Sequence, residues 1–177
     1  FFDIPVDNLF ATPIFARHAK KNIKGKNIIC VAPDVGGTER ARALGKILGV
    51  ELAIVDKRRP KPGQSKVMNV IGDVKSKTCI IVDDIIDSGG TIVNAAKALK
   101  NRGAKEVYVY ITHGVLTGEA IDKIKDSVIK KLVITDTIDN HEKIKKAKNI
   151  EVLPISTLMG EAIKRISNST SVSDLFK

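Results

Sequence analysis

Three aspartates lie close together near the middle of the chain. Asp83 and Asp84 are adjacent, and Asp87 follows them after two isoleucines. Carboxylates at this spacing can accept hydrogen bonds from neighbouring hydroxyl groups, or share a divalent cation. Two adjacent acids cost stability unless something binds them. The residue types therefore favour recognition of a polyhydroxylated or metal-bound ligand.

A turn of small residues follows these acids. It consists of Ser88, Gly89, Gly90 and Thr91. Such a turn brings backbone N–H groups close to an anion, and the positive end of the next helix points the same way. Together with the acids, the turn indicates a site for a phosphorylated sugar. The alternative is that the acids cap a turn and the glycines only close a strand-to-helix connection.

A second segment repeats this design. Asp34, Val35, Gly36 and Gly37 come shortly after the predicted strand 27–31 and precede a helical pattern. They predict a second anion cradle, with Asp34 as a ligand for a cation. A plain turn between a strand and a helix would fit the same residues.

A basic stretch with two prolines covers residues 56–63 and includes Lys57, Arg58 and Arg59. Its polarity and prolines predict a mobile loop that begins at Asp56. A run of basic residues is usually a solvated face, so its position between the two anion cradles is what makes it notable. We assign no role to Arg58.

The pattern around these residues predicts one α/β domain over 1–177, with a mostly parallel sheet flanked by helices. Residues 80–82 are an apolar, β-branched run typical of a strand buried on both faces, so Asp83 and Asp84 stand at its carboxyl end, where ligands bind in such sheets. Thr91 is the expected N-cap of the following helix. The spacing 155–166 predicts a helix with one continuous apolar face that places Met159 in the core. Strands are predicted at 27–31, 51–56, 67–71, 78–83, 106–112, 131–135 and 150–153.

Composition narrows the class of protein. The net charge of +10 suggests a nucleic-acid ligand. Only 4% of residues are aromatic, however, so few side chains could stack on bases and nucleic-acid binding stays a minor hypothesis. Polyphosphate ligands fit the positive charge equally well. No apolar stretch approaches the roughly 18 residues that a membrane span needs. Cys30 and Cys79 fall in core strands and are expected to be buried reduced thiols. His18, His113 and His141 lack metal-ligand spacing and are expected to be structural or exposed, although His113 could line the site.

Residues 82–91 resemble the phosphoribosyl diphosphate (PRPP) binding motif of type I phosphoribosyltransferases and of PRPP synthetases. Three further segments resemble the synthetase: 1–9, 31–41 and 56–63. The resemblance covers the chain through 168–176. It implies the phosphoribosyltransferase type I, Rossmann-like fold, and transfer of the β,γ-diphosphoryl group of ATP to the anomeric hydroxyl of ribose 5-phosphate, which gives PRPP and AMP with Mg²⁺ as cofactor.

The same resemblance implies residue roles. Lys57 and Arg59 would stabilise charge on the transferred group. Arg59 and the acids would hold ribose 5-phosphate together with the turn 87–91, while 34–37 would form the pyrophosphate loop with Asp34 on the metal. Asp3 and Asp7 are further metal candidates, although the half of their signature that carries the metal-binding His is absent.

The resemblance also implies a larger enzyme. Its N-terminal domain is missing from this sequence, so the chain is expected to bind ribose 5-phosphate and to be inactive or weakly active. A cytoplasmic homo-oligomer, a hexamer in the family, is expected. Two alternatives stay open: a salvage phosphoribosyltransferase, and a non-catalytic regulatory subunit associated with PRPP synthetase.

Overall fold

Seven strands form one sheet in a computed structural model that describes residues 2–25, 27–58 and 67–176. The strands are β1 Ile28–Ala32, β2 Glu51–Arg58, β3 Val67–Ile71, β4 Thr78–Ile86, β5 Glu106–Gly114, β6 Lys131–Thr135 and β7 Ile150–Leu153. The helices are α1 Thr12–Asn22, α2 Thr38–Leu48, α3 Gly90–Asn101, α4 Ala120–Lys125, α5 His141–Ile144 and α6 Ser156–Ser167, followed by a 3₁₀ turn at Ser173–Phe176.

The strand order is β3-β2-β1-β4-β5-β6-β7. All neighbouring pairs are parallel except β2 and β3, which are antiparallel. From β1 the chain passes through α2 to β2 on one side, whereas from β4 it passes through α3 to β5 on the other. The chain therefore reverses direction across the sheet between β1 and β4, which is where doubly wound sheets open a ligand crevice. The predicted fold class is confirmed.

Helices cover both faces of the sheet because successive strand residues point to opposite sides. Cys30 and Ile80 are buried with residues of α1 and α2, while Cys79 and Ile81 are buried with residues of α3 and α4. Both cysteines are free thiols, as predicted, and burial raises the pKa of each to about 12. The thiols therefore stay protonated at neutral pH.

A polar network fastens α1 to the sheet. His18 places Nδ1 2.9 Å from the Tyr110 hydroxyl and Nε2 3.1 Å from Oε1 of Glu151. Lys131 donates to the other oxygen of Glu151 at 2.9 Å. Burial raises the pKa of Glu151, but the hydrogen bonds from Lys131 and His18 outweigh it and lower the pKa below its ordinary value. His18 is thus structural, as expected from its isolation in the sequence.

The predicted ends of β2, β4 and β5 fall two or three residues short, and those of β2 and β4 concern residues of the candidate site. β2 continues through Arg58, because its ladder with β3 pairs Asp56 with Asn69 and Lys57 with Met68, so no loop begins at Asp56. β4 continues to Ile86, because pairing with β5 supports residues that are too polar to suggest a strand.

Helix α6 has its predicted position but not its predicted environment. Ala162 is buried, whereas Met159, Ile163 and Ile166 are 41%, 62% and 59% exposed. The expectation that Met159 belongs to the core is therefore wrong. None of the described helices is long and apolar enough to cross a bilayer.

Candidate sugar-phosphate site

At the point between β1 and β4 where the chain reverses direction across the sheet, the two strands end at different levels. The ladder between them stops at the pair Val31 and Ile81, while β4 and β5 stay paired as far as Ile86 and Gly114. Asp83 and Asp84 lie on this extension of β4. They are thus inside the strand rather than just after it, and the pairing of Asp83 and Ile85 with β5 fixes the backbone on either side of Asp84.

The first loop, residues 34–37, follows β1. Asp34 accepts a hydrogen bond through Oδ1 from the Gly37 N–H at 2.9 Å, which closes the turn. A Cβ on Gly36 would lie 3.3 Å from that Oδ1, and one on Gly37 would lie 3.1 Å from Cδ of Pro33. A side chain at either position would therefore have to displace its neighbour by a few tenths of an ångström, which glycine avoids. Val35 is 68% exposed at its tip.

The second loop, residues 87–90, follows β4. Thr117 donates its hydroxyl to Oδ1 of Asp87 at 2.5 Å and its N–H to the Asp87 carbonyl oxygen at 3.2 Å. Gly89 has a φ of +76° and is the N-cap of α3, so the predicted cap at Thr91 is wrong. The left-handed backbone of Gly89 forms the turn. Glycine adopts this conformation without a steric penalty.

Within the described residues, the second loop carries backbone donors that have no acceptor. In the described part of the chain, the backbone N–H groups from Ser88 to Thr91 have no hydrogen-bond acceptor. They stand at the N-terminus of α3, a helix of 12 residues, where the helix dipole favours negative charge. A groove of about 550 Å³ runs from this loop along α3, lined among others by Met68, Asn94, Lys97 and Arg102.

Within the described residues, Asp83 and Asp84 share one cationic partner, Arg40 of α2. Its Nη2 lies 2.7 Å from Oδ1 of Asp83, and its Nη1 lies 3.3 Å from Oδ2 of Asp84. Burial raises the pKa of Asp83, even though the hydrogen bonds from Arg40 and from the Asp84 N–H lower it. A carboxyl group with a raised pKa in a crevice is typical of a functional site.

The negative charge of Asp34 in the first loop also acts on Arg40. Burial lowers the pKa of Arg40, but its hydrogen bond to Asp83 and the negative charges of Asp83, Asp84 and Asp34 raise it overall. The guanidinium therefore contacts two carboxylates and is also influenced by the negative charge of a third, Asp34. Neither Arg40 nor Thr117 was singled out in the sequence, since their partners are 43 and 30 residues away.

The other predicted residues are less well placed. The backbone of Lys57 belongs to β2, and Arg59 lies outside the described residues. Asp3 and Asp7 are exposed before α1, and no hydrogen bond or ion pair within the described residues joins them to either loop. His113 sits opposite Ile85 at the end of β5, but its Nδ1 is 2.9 Å from the Thr137 hydroxyl.

The carboxylates fit one mode of Mg²⁺ binding. Within the described ranges, no group of three or more His, Cys, Asp and Glu side chains could cage a metal. Mg²⁺ seldom needs such a cage, because it keeps several waters and binds one or two carboxylates together with substrate phosphates. Asp34 has one oxygen committed to Gly37 and a second available for this purpose.

Comparison with known proteins agrees with this geometry. The profile of the family described as "Phosphoribosyl synthetase-associated domain" matches residues 57–177, more than half of the chain. The chain belongs to this family. Proteins named ribose-phosphate pyrophosphokinase from Rhizobium meliloti and Brucella melitensis are 56% and 57% identical to it over 176 residues. In each case 99% of this chain is aligned with 57% of the relative, so the chain spans little more than half the length of these relatives.

Solved structures of this family and its neighbours share the fold. The phosphoribosylpyrophosphate synthetase of Mycobacterium smegmatis superimposes with a TM-score of 0.86 at 32% identity, covering 95% of this chain and 54% of that one. The purine phosphoribosyltransferase of Pyrococcus horikoshii is 22% identical with a TM-score of 0.51, covering 81% of this chain and 84% of that one. The similarity to the phosphoribosyltransferase shows only that the two proteins share a fold.

Proposed function

We propose that this chain is the ribose 5-phosphate binding part of a ribose-phosphate diphosphokinase. The reaction transfers the β,γ-diphosphoryl group of ATP to the anomeric hydroxyl of ribose 5-phosphate and yields PRPP and AMP. The observation that carries the proposal is the pair of anion loops after the adjacent strands β1 and β4. The names of the relatives that share 56% and 57% of the sequence support the same reaction.

The sugar phosphate would bind along β4 and the second loop. The N–H groups from Ser88 to Thr91 and the positive end of α3 suit a phosphate monoester. Asp83 and Asp84 suit the ring hydroxyls, because an ionised carboxylate only accepts hydrogen bonds and a hydroxyl supplies them. The hydrogen bond from Thr117 keeps Asp87 in place at the start of the loop.

The diphosphoryl group would lie against the first loop. Asp34 is the proposed ligand for Mg²⁺, and the N–H groups of Val35 and Gly36, which have no acceptor among the described residues, offer further donors. When bound, Mg²⁺ would neutralise negative charge on the polyphosphate oxygens. Lys57 and Arg59 are the proposed side chains for stabilising the charge that spreads over the transferred group.

This arrangement supports catalysis by position more than by acid–base chemistry. The two loops come from neighbouring strands, so a sugar on one would face a polyphosphate on the other. Phosphoryl transfer depends mainly on alignment and on charge stabilisation, and a positioned hydroxyl gains most of its reactivity from proximity. Asp83 and Asp84 are therefore assigned to binding rather than to proton transfer.

Calorimetric titration of the chain with ribose 5-phosphate in the presence of Mg²⁺ tests the proposal. We expect binding by the wild type and its marked weakening in Asp87→Ala, because the second loop loses the carboxylate that the Thr117 hydroxyl holds in place. Asp122→Ala on α4, an equally exposed acid, is the matched control and should bind as the wild type does. Absence of binding by folded wild-type chain would refute the assignment.

Phosphorus NMR of the products separates the reactions. Formation of AMP and PRPP from ATP and ribose 5-phosphate, even at a low rate, supports the diphosphokinase. Release of pyrophosphate from PRPP and a nucleobase without ATP would instead establish a salvage phosphoribosyltransferase. Native mass spectrometry would test the predicted homo-oligomer, and cell fractionation would test the predicted cytoplasmic location.

A further inference from the structure

Arg40 connects the two loops of the site. It lies in the first turn of α2, the helix that begins directly after the first loop, and its guanidinium reaches both acids of β4. One terminal nitrogen goes to Asp83 and the other to Asp84, so a single planar group sets the spacing of two carboxylates. The fork geometry of arginine is suited to this, whereas a lysine is a single point charge.

The contact is more than a surface ion pair. The Asp83 side chain is 14% exposed, and the Nε atom of Arg40 is buried without a hydrogen-bond acceptor in the described structure. A buried donor without a partner costs stability, so the fold tolerates it in return for placing the other two nitrogens.

The exposed fractions of the two acidic side chains show which carboxylate a ligand can reach. Asp84 is 52% exposed although Arg40 contacts one of its oxygens, so this carboxylate is held in place but not covered, whereas Asp83 is 14% exposed. Without the guanidinium, the adjacent carboxylates would repel each other and turn apart. Hydrogen bonds from neighbouring ring hydroxyls depend on the carboxylates keeping a fixed geometry.

We propose that Arg40 is a positioning residue that holds Asp83 and Asp84 ready for the ring hydroxyls of the sugar. It does not itself touch the ligand. The proposal rests on the proposed function, since it takes ribose 5-phosphate as the ligand. It assigns to Arg40 the discrimination between ribose and 2-deoxyribose, because the 2-hydroxyl is one of the groups that the acids would bind.

The test compares affinities for ribose 5-phosphate and 2-deoxyribose 5-phosphate by calorimetry, with Mg²⁺ present. In the wild type we expect ribose 5-phosphate to bind about tenfold more tightly, as for one hydrogen bond to a charged group. Arg40→Gln should lose most of this preference and retain the weaker, phosphate-dependent binding of both sugars. Arg40→Lys should restore the preference only in part.

Arg42→Gln is the matched control, because Arg42 lies on the same helix, is exposed and changes the net charge equally. It should keep the wild-type preference. A full wild-type preference in Arg40→Gln would overturn the inference while leaving the proposed function intact. Failure of the wild type to bind either sugar would overturn both. If Arg40→Gln does not fold, Arg40→Lys decides: an unchanged preference refutes the role, and a reduced preference supports it.

Discussion

Gly90 offers a way to separate folding from binding in the second loop. It is the first residue of α3, its φ is not in the left-handed region, and a Cβ built on it meets no atom within 4 Å. Gly90→Ala should therefore raise the free energy of unfolding by about 0.4–1 kcal/mol, because alanine loses less backbone entropy on folding. For a chain of this size the melting temperature should rise by roughly 1–4 °C.

The same methyl group should weaken the binding of the sugar phosphate. It would stand beside the unpaired N–H groups of the loop, at the place proposed for the phosphate. Losing one or two charge-assisted hydrogen bonds should lower the affinity for ribose 5-phosphate by at least about tenfold. Stability and affinity are thus expected to move in opposite directions.

Thermal unfolding and calorimetric titration of Gly90→Ala measure both quantities. Gly160→Ala is the control, since Gly160 lies within α6 and a Cβ there also meets nothing within 4 Å. It should gain similar stability and bind ribose 5-phosphate with wild-type affinity. Wild-type affinity in Gly90→Ala would show that the backbone of this loop does not hold the phosphate. A lower melting temperature would show that the reasoning about the α3 N-terminus is wrong.

Three further variants test single contacts. Thr117→Val removes the hydroxyl that anchors Asp87 and should weaken ribose 5-phosphate binding about fivefold in calorimetry, with little change in melting temperature. Gly89→Ala should cost about 1–2 kcal/mol in urea unfolding, because φ is +76° while the nearest atom to the new Cβ is 3.7 Å away; an unchanged midpoint would contradict this. Glu151, whose pKa is lowered in the fold, stabilises the chain above its ordinary pKa of 4.5, and this contribution is lost as the pH falls through the folded value. Its side chain is 37% exposed, so Glu151→Gln should cost under about 1 kcal/mol at pH 7 and progressively less below pH 4.5; a difference independent of pH would refute the linkage.

Much of the sheet was predictable because buried parallel strands have continuous apolar sequences. The predicted bounds 67–71, 131–135 and 150–153 agree with β3, β6 and β7. The end of β4 was not predictable, because Asp83 and Asp84 are poor strand formers that become strand residues through pairing with β5. Local propensity cannot report a partner that lies far along the chain.

The candidate site was predictable only in its local parts. The two loops stand where the acids and glycines indicated, since small residues and turn geometry are encoded within a few positions. The contacts of Arg40 and Thr117 depend on how α2 and the segment after β5 pack against β4, which no short motif records. The helical spacing of apolar residues predicted α6 correctly. That spacing does not show whether another element covers the apolar face, and Met159 is exposed.

The reactivity of the two cysteines can report local opening of the fold. They occupy neighbouring strands but are buried under different helical layers, Cys30 beneath α1 and α2 and Cys79 beneath α3 and α4. Since a thiol of such high pKa reacts only after exposure, labelling of Cys30 would time the opening of one layer and labelling of Cys79 that of the other. The layer above Cys79 includes α3, whose N-terminus carries the second loop. Slower alkylation of Cys79 alone on adding a sugar phosphate would therefore reveal occupancy of that loop without any measurement of turnover.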